Sequence, residues 1–113
     1  MAMAKDPLEF YPWYPKDYAV STTGWTRDQD ILYRRLLDYQ WTQGRIPQND
    51  NKMIAKIGGF KNNGTFQSAW SVVQKKFKNG INFRMNRERK KAMRIYRAKK
   101  KGAKARWQRP GEE

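Results

Sequence analysis

The sequence predicts a mainly α fold with a small β-hairpin, arranged like a winged helix-turn-helix: three short helices and a wing, followed by a basic C-terminal helix. Three observations carry this. Apolar residues recur at helical spacing in separate stretches between residues 26 and 78, Asn79-Gly80 precedes a run of alternating apolar and polar residues, and positive charge is concentrated after residue 83. The expected organisation is an aromatic and proline-rich N-terminal segment (1–25) packing on a core (26–85), then a basic helix and disordered end (86–113).

The first helix is marked by Thr26 as N-cap, with Gln29 completing a capping box and Asp28 and Asp30 suiting the positive end of the helix dipole. It runs to Gly44 and buries Leu32, Leu36, Leu37 and Trp41, with Tyr33 and Tyr39 flanking. Pro47 keeps Ile46 extended, so a second helix follows from about Asp50 to Ile57, burying Met53, Ile54 and Ile57. "GGFKNNG" is a loop by composition. The third helix starts at or near Thr65 and aligns Phe66, Ala69, Trp70, Val73 and Phe77 on one stripe. Asn79-Gly80 is a hairpin dipeptide, and Ile81, Phe83 and Met85 alternate as in a half-buried strand. The fourth helix is expected from about Asn86 toward Lys101, with Gly102 and Pro110 marking a frayed or disordered end.

Composition sets the class of partner. The chain has 113 residues and a net charge of +15, with no Cys and no His. Disulfides, thiol chemistry and Cys/His zinc sites are thereby excluded. The lack of Cys fits a reducing cytoplasm, no apolar run spans a membrane, and the start is no signal peptide. Residues 1–83 hold twelve Lys/Arg against seven acids, whereas residues 84–109 hold thirteen against Glu88 alone. A polyanion is the expected partner.

"WYPKDYAVSTTGWTRDQDILYRRLLDYQWTQGRIPQNDNKMIAKIGG" resembles the YdaU-like family of phage and prophage proteins, catalogued as a domain of unknown function. The markers, in order, are Trp13-Tyr14 with Asp17-Tyr18, then Tyr33 with Leu36-Leu37 and Trp41, then Ile46-Pro47 with Asp50 and Ile54-Ala55. Trp70, Val73 and Phe77 follow, and "GINFRM" is similar to the family's Gly-containing turn and Asn-x-Arg-Leu strand, with Met85 in place of Leu. Many relatives have Gly just before the helix-one tyrosine, where this chain has Ile31-Leu32. The resemblance covers about residues 11 to 90. It implies a winged-helix-like protein of a mobile element, often associated with replication genes, and it carries over no catalytic residues.

The candidate binding residues lie in three places. Arg87, Lys90, Arg94, Arg97 and Lys101 are spaced 3, 4, 3, 4 and line one helix face, a row able to follow a phosphate backbone. A solvated face or a helix on an anionic membrane are the competing readings. On the third helix Gln67, Ser71, Gln74, Lys75 and Lys78 could reach base edges and phosphates, or form an ordinary polar face. Arg84 on the strand, with Lys76 and Lys78, could touch phosphate from the wing or simply protect an edge strand. The aromatic cluster at residues 10–20 reads as an apolar latch built from Phe10, Trp13, Tyr14, Tyr18 and Val20, stiffened by Pro12 and Pro15. Trp107, among cations, could stack on a base or be an exposed aromatic in a tail.

Catalysis has little support: without an imidazole or thiol, acid–base work would need converging carboxylates, and Asp28, Asp30, Asp38 and Asp50 have structural readings. No cofactor or metal is expected. The expectation is a non-enzymatic, DNA-binding protein of a phage or mobile element, acting in replication initiation or gene control. Duplex DNA is the leading partner, with a homodimer suiting paired half-sites. The alternatives are an RNA-binding protein or an adaptor for an acidic replication or host protein.

Overall fold

The computed structural model describes residues 8–107, with side chains through residue 102. The fold is mainly helical, with five α-helices: α1 (Pro15–Ser21), α2 (Arg27–Gln43), α3 (Asn51–Gly58), α4 (Gly64–Val73) and α5 (Phe83–Trp107). Helix α2 is central and packs against α3, α4 and α5.

The local signals explain each boundary. Thr26 accepts from the Gln29 amide while the Gln29 side chain accepts from the Thr26 N–H, which closes the expected capping box. Gly44, at φ 96°, ends α2. Asp50 accepts from the Met53 amide to start α3. Asn63 accepts from the amides of Thr65 and Phe66 to start α4.

Between the helices lies a core of Leu32, Leu36, Leu37, Trp41, Ile46, Ile54, Ala55, Phe66, Ala69, Val73 and Met85. Gly58 is needed where α3 crosses α2, because a Cβ there would lie 2.5 Å from Leu32 Cδ1. Leu32 itself is fully buried while Ile31 stays exposed, so the Ile31-Leu32 pair adds apolar volume inward on one side only.

The expected third helix breaks early. It ends at Val73, and Gln74–Lys76 form a 3₁₀ turn. Phe77 is therefore off the helix, extended at φ −126°, yet it still packs edge-on against Tyr33 at 6.0 Å.

The wing differs more. Among the described residues there is no strand, and the expected hairpin is contracted to a single antiparallel bridge between Lys78 and Ile81. Asn79 (φ 54°) and Gly80 (φ 75°) form the tight turn. Asn82 is the reason the strand stops. Its Oδ1 accepts from the Met85 amide, which caps a helix directly after the turn, so α5 starts at Phe83 rather than near Asn86. The side-chain period then changes from 2 to 3.6. Phe83 and Met85, which a strand would place on one face, point apart: Met85 is buried and Phe83 is 76 % exposed. At the other end α5 continues through Gly102 to Trp107, past the expected fraying point. The expected disordered end, with Pro110, lies outside the described residues.

A buried polar hub joins α5 to the core. Gln40, on the apolar face of α2, accepts from the Asn82 N–H (2.7 Å) and donates to the Asn82 carbonyl (3.0 Å). Asn82 Nδ2 in turn donates to the Tyr33 hydroxyl (3.2 Å) and the Lys76 carbonyl (3.0 Å). Every buried polar side-chain atom among the described residues is thus hydrogen-bonded. Further along α5, Arg89 Nε donates to the Trp41 carbonyl at 2.7 Å, where α2 has run out of amides to satisfy its last turn.

The N-terminal segment acts as a latch, through partly different residues from those expected. Leu8, Tyr11 and Tyr18 pack on the core, and Trp41 Nε1 donates to the Leu8 carbonyl. Tyr11 and Tyr18 donate to the carboxylates of Asp38 and Asp30. Trp13 is half-exposed under Arg34 (4.8 Å), and Tyr14 lies under Arg84 (4.4 Å). Phe10 and Val20 do not cover the core; both are largely exposed. Desolvation and the facing Asp38 or Asp30 push the Tyr11 and Tyr18 phenols above their ordinary range. Burial raises Tyr33 as well, opposed by the Asn82 amide on its oxygen and the Arg84 charge.

Candidate nucleic-acid interface

Helix α5 is where the predicted row lies. Twenty-five residues make a rod about 37 Å long, and Arg87 to Lys101 cover about 21 Å of it. Its first half is seated by Met85, Arg89 and Ala92, which share one face. Arg87, Lys90, Arg94, Arg97 and Lys101 fall on the other face, and all five are exposed. Arg87 lies 5.9 Å from the Phe83 ring. Among the described residues none of the five has an ion-pair partner. From Arg97 to Gly102 every residue is exposed, so the second half of the row extends beyond the core.

Arg84 belongs to a different structure. It sits in the first turn of α5, not on a wing strand, and pairs with Asp17 at 2.8 Å while covering Tyr14. Its charge is spent holding α1 against α5. Lys76 likewise lies over Trp25 at 5.7 Å.

The polar face of α4 and the 3₁₀ turn after it border a groove. Gln67, Ser71 and Gln74 line an open groove of ≈640 Å³ between α3, α4 and the 79–80 turn. Opposite them stand Gln48, Asn49 and Asn51, with Asn79 and Gly80 closing one end and Trp70 and Phe77 supplying aromatic surface. Lys75 and Lys78 are exposed and outside the groove lining. The structure therefore gathers Gln67, Ser71 and Gln74 into one site, and the α5 row into another. The groove's amides on the far wall escape a reading of helix faces, because Gln48 and Asn49 lie in a connector. The density of amides in "QNDN" and "KNG" was the available signal.

A family model described as a protein of unknown function (DUF1376) matches residues 9–93. The chain belongs to the DUF1376 family. The family match covers the latch except Leu8, the core, the groove and the seated half of α5, whereas Arg94, Arg97 and Lys101 lie beyond it. No curated protein and no solved structure matches the chain. Among the described residues no group of three or more acidic side chains converges as a metal site would require. No described helix is long and apolar enough to cross a membrane. The Trp107 side chain lies outside the described residues.

Proposed function

We propose that this DUF1376 protein binds nucleic acid, duplex DNA first, through the cationic row of α5, and that it does so without catalysing a reaction. The observation that carries this is the row itself: five exposed cations on one helix face, none with an ion-pair partner among the described residues, on a helix with one acid. Such cations release the counterions condensed on a phosphate backbone, and they lose little by doing so because no internal partner is given up. Lys75 and Lys78 extend the positive surface beside the groove.

In this reading α3 and α4 act as a helix-turn-helix and the 78–81 turn is a reduced wing, in keeping with the resemblance to phage and prophage YdaU-like proteins. A role in replication initiation or control of a mobile element, in the cytoplasm of a bacterial host, follows from that resemblance alone. Arg84 is not assigned to the interface.

The test is charge reversal. Arg94→Glu with Arg97→Glu should weaken binding to a random-sequence duplex by more than tenfold at 0.1 M salt. Lys56→Glu with Lys61→Glu changes net charge equally, off α5, and should weaken it far less. Equal effects would show that the row has no special role.

A further inference from the structure

We infer that the groove between α3, α4 and the 79–80 turn is a site for an unpaired adenine base; this rests on reading the chain as a nucleic-acid-binding protein. Gln67, Ser71 and Gln74 are exposed, and they share one open groove with the 46–51 segment and the 79–80 turn. A protrusion of the nucleic acid fits such a groove, and an extruded or single-stranded base is one.

The lining fits a base in its chemistry as well as its shape. No charged residue lines the groove. A carboxamide offers one donor beside one acceptor, the complement of adenine's N6 and N7. Among the described residues the Gln67 and Asn51 amides make no hydrogen bond within the protein, so both are open to a ligand. Gln48, by contrast, is fixed by donating to the Asn79 carbonyl, which ties the turn to the far wall and holds the groove's width. Trp70 offers an aromatic surface on which a base can stack, itself backed by the parallel Phe66 ring at 6.4 Å. At ≈640 Å³ the groove is within the size range of small-ligand sites.

An extended peptide is the competing occupant. It would add to an unpaired strand edge, but among the described residues there is no strand, the connector's Ile46 N–H is taken by the Gly80 carbonyl, and the Lys78–Ile81 bridge is already paired.

Adenosine is the probe because it carries no phosphate, so the α5 row contributes nothing to its binding. The full ¹⁵N-labelled protein would be titrated with millimolar adenosine and the side-chain signals followed. The expected result is saturable shifts at the Gln67, Gln74 and Asn51 amides and the Trp70 indole, several-fold larger than with uridine. Gln67→Leu with Gln74→Leu, both at exposed positions, should abolish the Trp70 shift while leaving the rest of the spectrum in place. Absence of shifts, equal shifts with uridine, or shifts with an uncharged dipeptide amide but not adenosine would each overturn the inference. Failure of salt-dependent DNA binding would leave this result standing, and the reverse also holds.

Discussion

Replacing Gln40 by Leu should destabilise the protein, although Leu is apolar and similar in size. Gln40 is fully buried and holds the Asn82 N–H and carbonyl at 2.7 and 3.0 Å. Leu would leave the Asn82 N–H buried without a partner, at about 1–3 kcal/mol, while the Asn82 carbonyl keeps the Asn86 N–H at 3.0 Å. The added apolar surface recovers part of this, so the net loss is about 1.5 kcal/mol. For a chain of this length that lowers Tm by about 6 °C. Thermal and urea unfolding followed by circular dichroism would measure it. Asn82→Ala removes the cap on Met85 and the bonds to Tyr33 and Lys76, a loss of about 2 kcal/mol. The double variant should lose less than the two single losses together, because both act on the same start of α5. A Gln40→Leu protein within 0.5 kcal/mol of the parent would refute the hub.

Gly80→Ala should cost about 2–3 kcal/mol, because alanine is disfavoured at φ 75° and its Cβ would meet the Ile46 carbonyl at 2.5 Å; urea unfolding reads the loss directly. Alkaline pH should also destabilise the fold. Tyr11, Tyr18 and Tyr33 have folded pKa values raised above the unfolded value, so their contribution is fully present below about pH 10 and is lost as pH rises beyond it. Tyr11→Phe with Tyr18→Phe should flatten that decline, and an unchanged decline would discount the two Tyr–Asp contacts as its source.

Much of the fold is legible in the residues, for identifiable reasons. Helices α2, α3 and α4 each combine an apolar stripe with a capping side chain, so period and boundary agree. The wing is where local pattern misleads: "INFRM" alternates as a strand does, but one asparagine with a free Oδ1 caps a helix there instead. Gln40 could have been noticed, since it sits four residues after Leu36 on a stripe that is otherwise apolar. Its partner, 42 residues away, could not. Helix α1 is hidden because Pro12 and Pro15 read as extended chain, although Pro15 is suited to a helix's first turn. The α5 row is readable from its 3, 4, 3, 4 spacing alone, whereas Arg84 has the same charge and a different task because Asp17 and Tyr14 reach it through the tertiary fold. The groove needs three elements at once, so only its α4 wall shows in the sequence.

The central claim is that α5 binds a phosphate backbone through its exposed row, and salt dependence of affinity for a random-sequence duplex tests it most directly. Five engaged cations give a slope of log affinity against log salt of about −4.5, or about a 20-fold loss for each doubling of salt. Neutralising Arg94 and Arg97 to Gln should reduce the slope to about −2.7. A slope near zero, a slope unchanged by the two substitutions, or no binding at low salt would contradict the account.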